Sequence, residues 1–175
     1  MRIEFERGVI RDWSERDKAD LVEFADNRKI WRNLTDRFPY PYTEKDAIWW
    51  IAHVAEMPAP TSWAIEVDGR AVGGIGIELR EGIYAKSAEF GSWLGEPYWG
   101  RGITTAAARA LLPEILSQFG LIRLEARVFA WNPASMRVLE KAGFKREGVI
   151  RCAAIKDGVL IDQALYAYVE ESVAV

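Results

Sequence analysis

The sequence has a single cysteine, Cys152, and a single histidine, His53, which excludes an intramolecular disulfide and a Cys/His zinc cage. It has no excess of basic charge. Its 23 Lys and Arg stand against 26 Asp and Glu, a formal net charge of −3 and a pI near 5.4. No global field therefore draws it to nucleic acid or to an anionic membrane, and any phosphate must be held by local groups. No uncharged run approaches the ~18 residues of a spanning helix. The opening MRIEFERGVI lacks the basic-then-apolar pattern of a signal peptide. Linkers, repeats and low-complexity segments are also missing. These absences predict no metal, no nucleic acid, no membrane and a cytoplasmic location.

What is present is hydrophobic. Half of the 175 residues are apolar and eight are Trp, too much to leave a chain disordered and enough for one domain over 1–175. FERGVIRDW reads as a strand ending near Trp13. Ser14 and Asp17 then form a capping pair before a helix with Leu21, Phe24 and Ala25 on its buried stripe. NLTDRFPYPYT is extended and proline-marked. Thr43 and Asp46 repeat the capping pattern before the helix AIWWIAHVAEM.

SWAIEV and RAVGGIGIEL flank Asp68-Gly69, the strongest short-range hairpin signal. AEFGSWL is a further strand, and YWGRGITTAAARAL leads into a helix through about Gln118 that Pro113 should kink. LIRLEARVFAW is a strand, and PASMRVLEKAGF is a helix closed by Gly143. FKREGVI and VLIDQALYAYV are strands joined near Asp157-Gly158. The order predicts an α+β fold: a mixed, mainly antiparallel sheet of about seven strands flanked by about four helices.

The glycine stretch carries the chemistry. Phosphates bind where backbone N–H groups converge, and a helix N-terminus adds unpaired donors and a positive dipole end. Gly100 and Gly102 let an anion approach the backbone, Thr104 and Thr105 keep the first turn small, and Arg101 adds charge. GRGITT lacks both the Lys-Ser/Thr pair of a nucleotide-triphosphate loop and the third glycine of a dinucleotide fingerprint. In the downstream WNPASMRVLEKAGFKREG, Asn132 can hydrogen-bond an amide and Ser135 can donate or accept.

Strand, WGRG-I-T, helix, strand and NPASMRVLEKAGF, in that order, resemble the GNAT superfamily of acyl-CoA-dependent N-acetyltransferases. RFPYPYTEKDAIWWI resembles its ribosomal-protein branch, the RimJ/RimL type. The resemblance implies a twisted sheet with a splay between its central strands, acetyl-CoA as cosubstrate, and direct attack by an amine in a ternary complex. It implies that Trp99, Gly100, Arg101, Gly102, Ile103, Thr104 and Thr105 hold the pyrophosphate of coenzyme A. Trp99 and Thr104 stand where that family usually has Gln or Arg and Gly or Ala. It further implies that backbone near Trp93 and Leu94 binds pantetheine and polarises the thioester, that Asn132 contacts pantetheine, and that Ser135 protonates the departing thiolate.

The base is harder to find. The neighbourhood where some members carry a glutamate reads CAAIKD, without an acid at Ala153 or Ala154. Glu89 is the first choice, ahead of Glu125, Glu96 and Asp162. Tyr40 and Tyr42, on the prolyl segment, are the acceptor-binding candidates. His53 reads as an exposed helical residue and Cys152 as a buried or half-buried bystander. The expected reaction is acetyl transfer to a primary amine, a protein N-terminus among the candidates. The alternatives are a small-molecule acceptor (polyamine, amino acid or antibiotic) and a non-catalytic acyl-CoA sensor. Monomer and homodimer both fit.

Overall fold

A computed structural model describes residues 1–170. They form eight strands and five α-helices, the strands hydrogen-bonded in the order β1-β2-β3-β4-β5-β6-β8-β7. The strands are β1 (Arg2–Phe5), β2 (Gly8–Arg11), β3 (Ser62–Val67), β4 (Arg70–Leu79), β5 (Ser87–Leu94), β6 (Arg123–Phe129), β7 (Lys145–Lys156) and β8 (Val159–Val169). The helices are α1 (Lys18–Ala25), α2 (Arg28–Trp31), α3 (Glu44–Ala55), α4 (Ile103–Phe119) and α5 (Pro133–Ala142). The α+β reading holds, with two additions. FERGVIRDW is a hairpin turning at Glu6-Arg7 rather than one strand, and the short α2 precedes the prolyl segment.

The chain clusters into two compact units, Met1–Gly76 with Ser92–Ala107, and Ile77–Gly91 with Ala108 onward. In the first unit β1, β2, β3 and β4 are antiparallel neighbours. The β3–β4 turn has Asp68 at φ 51 and Gly69 at φ 79, the doubly left-handed geometry that Asp-Gly favours. Thr43 and Asp46 cap α3 reciprocally: the Thr43 amide donates to the Asp46 carboxylate at 2.8 Å, and the Asp46 amide donates to Thr43 Oγ1 at 3.4 Å. The core here joins Leu21, Ala25, Tyr42, Ala47 and Ile51, with Trp13, Phe38, Trp50 and Trp93 packed against it. Trp49, one residue from Trp50, points away and is 59% exposed, because adjacent helical side chains diverge by about 100°.

The Ser14–Asp17 cap also forms, and it serves a buried ion pair. Asp17 receives the Ser14 amide at 2.8 Å and two guanidinium N–H groups of Arg11 at 2.7 Å each. A single turn of 3-10 helix over Glu15–Asp17 separates this cap from α1.

In the second unit β6 pairs antiparallel with β8, and β8 with β7. α4 continues past Pro113, an exposed residue, as far as Phe119. Gly143 at φ 103 ends α5 as expected. β7 is longer than FKREGVI, reaching Lys156 past a register shift between Ile150 and Ala154. Cys152 sits in that bulge at φ 51, its amide donating to Asp162 Oδ1 at 2.8 Å. It is exposed, not buried, because the bulge turns it out of the ladder. Among the described residues no helix is long and apolar enough to cross a membrane.

Candidate active site

β5 delivers the first half of the site. It runs parallel to β6 only from Ser87↔Arg123 to Glu89↔Glu125, although β5 continues to Leu94 and β6 to Phe129. Beyond Glu89 that edge of β5 has no ladder partner in β6. Trp93 and Leu94 lie on this stretch.

A 3-10 turn, Glu96–Tyr98, then carries the chain into the glycine turn. Gly95 packs on Phe24, where a β-carbon would come within 3.1 Å of the ring, and Tyr98 meets the same ring edge-on at 5.5 Å. Glu96 accepts hydrogen bonds from Lys29 Nζ and, at 2.8 Å, from Asn27 Nδ2. Lys29 first and Asn27 second hold its carboxyl below the usual range, so Glu96 is a tether rather than a base. The Trp99 indole N–H donates to the Leu94 carbonyl at 2.6 Å, closing the segment on itself.

Gly100 and Gly102 have φ of 74° and 75°, a left-handed conformation that glycine adopts without penalty. The first helical bond runs from Ala106 N–H to the Gly102 carbonyl. Among the described residues, the backbone N–H groups from Gly100 through Thr105 find no protein acceptor. Ile103 is buried, so it anchors the 17-residue α4 to the core while Thr104 and Thr105 remain part-exposed at its start. Arg101 lies over the Tyr98 ring at 5.3 Å. Arg7, from the β1–β2 turn, also stands beside Gly102, and no motif in the sequence points to it.

Trp99→Phe isolates the clip, since it keeps the ring and loses the donor. The net loss is about 1 kcal/mol, and a thermal melt is expected to show a fall in Tm of about 2–4 °C.

The acceptor candidates divide. Tyr40 is 44% exposed and lies against Trp31, with ring centroids 5.6 Å apart. Tyr42 is a core residue instead, 5% exposed among Leu21, Ala25 and Ile51. Burial and then the nearby Asp46 push its hydroxyl well above the usual tyrosine range. Its assignment as an acceptor contact is corrected accordingly: it builds a wall behind Phe38, whose ring lies 5.2 Å from Tyr42 and 5.6 Å from Trp93. His53 is exposed and stacks on Trp49 at 4.9 Å.

The second unit holds the remaining candidates. Asn132 caps α5, its Oδ1 accepting from the Ser135 amide at 3.2 Å, while the Ser135 hydroxyl has no protein partner among the described residues. Glu89 and Glu125 are register partners and share Arg80, which lies 2.7 Å from Glu125 and 3.9 Å from Glu89. Burial opposes charge on Glu125, but hydrogen bonds from Arg80 and Arg123 prevail and hold its carboxyl low. Asp162 is occupied by the Cys152 amide. Glu89 is left with the loosest pairing of these carboxylates. Among the described residues no group of three or more His, Cys, Asp or Glu is placed to hold a metal ion.

Sheet, parallel pair and glycine turn together define an acetyltransferase fold. Residues 7–145 match the family described as "Acetyltransferase (GNAT) domain", and the chain belongs to that family. It is 39% identical over 82 residues to "Probable N-acetyltransferase YjcK" of Bacillus subtilis (strain 168), covering 47% of this chain but only 45% of that protein. The chain thus spans less than half of that relative's length. To "L-amino acid N-acetyltransferase AaaT" of Escherichia coli (strain K12) it is 24% identical over 163 residues, 93% of this chain and 98% of that one. Among solved structures, Mycobacterium smegmatis RimJ in complex with CoA-disulfide matches with a TM-score of 0.82 at 26% identity, covering 98% of this chain and 87% of RimJ.

Proposed function

We propose that the protein is an acetyl-CoA-dependent N-acetyltransferase acting on a primary amine, with an α-amine as its acceptor class. The observation that carries this is the run of acceptor-free amides from Gly100 through Thr105, open to solvent at two left-handed glycines. It has the donors and the space that a diphosphate requires. The neighbouring RimJ structure, a complex with CoA-disulfide, supports the same ligand.

Acetyl-CoA, when bound, supplies the activated acetyl group and the thiol leaving group. Backbone at Trp93 and Leu94, on the edge of β5 beyond the parallel ladder, holds the pantetheine arm as an added strand would. One N–H there polarises the thioester carbonyl. Asn132 Oδ1 caps α5, which leaves its Nδ2 as the donor that pantetheine would use. The amine nitrogen would attack the acetyl carbon and the carbon–sulfur bond would break; Glu89 would take the amine proton through water, and Ser135 would hand its hydroxyl proton to the thiolate while taking another from water. Tyr40 borders the acceptor.

The acceptor class follows from how little base the site has. Neutralising a lysine amine of pKa ~10.4 costs roughly 4–5 kcal/mol at pH 7, whereas an α-amine near ~7.8 costs about 1. Glu89, the loosely paired carboxylate 3.9 Å from Arg80, suits the second. The nearly full-length likeness to AaaT, named for L-amino acids, favours a free amino acid as the second reading, and that too is an α-amine.

Thiol release from acetyl-CoA across N-terminal peptides, amino acids, lysine peptides, polyamines and aminoglycosides tests the acceptor. Turnover confined to α-amines is expected, and a preference for lysine or polyamine would overturn that class. Ser135→Ala should lower kcat about ten-fold or more while acetyl-CoA affinity stays within two-fold, about 0.4 kcal/mol. Equal losses in both would make Ser135 a binding residue.

A further inference from the structure

The glycine turn is served by an arginine that its own motif does not contain. Arg7 lies in the β1–β2 turn, far from Gly102 in sequence, yet its Nε comes within 4.0 Å of the position a β-carbon on Gly102 would occupy. The side chain is exposed, and among the described residues its one ion pair is with its neighbour Glu6 at 3.6 Å, too long for a strong bond. Its guanidinium is therefore available on the side of the turn that Gly102 leaves open. Arg101, the cation that the motif itself supplies, is drawn over the Tyr98 ring.

We infer that Arg7 is a coenzyme A-binding residue that pairs with the diphosphate at Gly102. The inference rests on the coenzyme A reading of the glycine turn. Backbone amides carry only partial charge, and a guanidinium adds a full one in a fork that matches phosphate oxygens. A chain of net charge −3 has no general field to supply that attraction, so a local cation has to. The β1–β2 hairpin thereby acquires a role beyond extending the sheet: it brings this charge to the turn.

Calorimetry with coenzyme A and with 3′-dephospho-coenzyme A, on the wild type, Arg7→Ala and Arg7→Lys, tests the assignment. Arg7→Ala is expected to weaken both ligands by the same factor, roughly ten-fold for one charge-assisted contact. Arg7→Lys should lie between, keeping the charge and losing the fork. Thermal unfolding should be unchanged in both variants, because Arg7 is exposed. Unchanged affinity in Arg7→Ala would overturn the inference. A loss confined to coenzyme A would also overturn it, moving Arg7 to the 3′-phosphate. A wild-type protein that bound neither nucleotide would overturn the coenzyme A reading and this assignment with it, an outcome separate from tight wild-type binding that Arg7→Ala leaves intact.

Discussion

Gly102→Glu is expected to abolish measurable coenzyme A binding while leaving the protein folded. Space is not the obstacle, since a β-carbon there meets only Arg7 Nε at 4.0 Å. Two other effects act together. At φ 75° a non-glycine residue bears a left-handed penalty of about 1–2 kcal/mol, which lowers stability modestly. The carboxylate then enters the anion site, where like charges about 4 Å apart at an effective dielectric of about 20 repel by about 4 kcal/mol, roughly a thousand-fold in affinity. It would also pair with Arg7 and cancel that cation. Gly102→Ala separates the two effects, because it carries the backbone penalty alone and should bind within about ten-fold of wild type. Calorimetry on all three proteins measures the difference. Equal losses in the two variants would assign the effect to backbone geometry, and unchanged affinity in Gly102→Glu would remove the turn from the phosphate site.

Asp17→Ala is expected to produce the largest loss of stability. Asp17 is 1% exposed and Arg11 7%, and the carboxylate receives both guanidinium donors at 2.7 Å. Removing one partner of such a pair strands the other charge in the interior at about 3–5 kcal/mol. Arg11 also donates to Glu66 and to the Asp12 carbonyl, so the lower end applies, about 3 kcal/mol. For a chain of this size that is a fall in Tm of about 6–12 °C.

The pair also makes stability depend on pH in a definite direction. Burial opposes charge on Asp17, but the hydrogen bonds from Arg11 and Ser14 prevail and hold its carboxyl below the usual range. A depressed carboxylate contributes its full stabilisation above its unfolded value near ~3.9 and loses it as pH falls through the native value. Wild type should therefore lose stability with acid more steeply than Asp17→Ala, as melts from pH 7 downward would show. Parallel curves would mean that Glu66 alone satisfies Arg11.

Local signals were legible and long-range ones were not. Thr43 with Asp46, Asp68-Gly69 and Gly143 each announce their structure because the physics acts within a few residues. The glycine turn was legible for the same reason. The hairpin at Glu6-Arg7 was not, since Glu-Arg carries none of the turn signal that Asp68-Gly69 does. Tyr42 lies on the prolyl segment expected to bind the acceptor, but it packs among residues of α1 and α3. The Glu96 tether and the placement of Arg7 depend on partners distant in sequence, and neither periodicity nor motif spacing encodes them.

The most direct test of acetyl transfer incubates the protein with isotopically labelled acetyl-CoA and an α-amine peptide, following free thiol and acceptor mass together. One acetyl group on the peptide's N-terminus for each thiol released is the predicted result. Thiol release without an acetylated acceptor, or tight coenzyme A binding with no release on any amine, would contradict it.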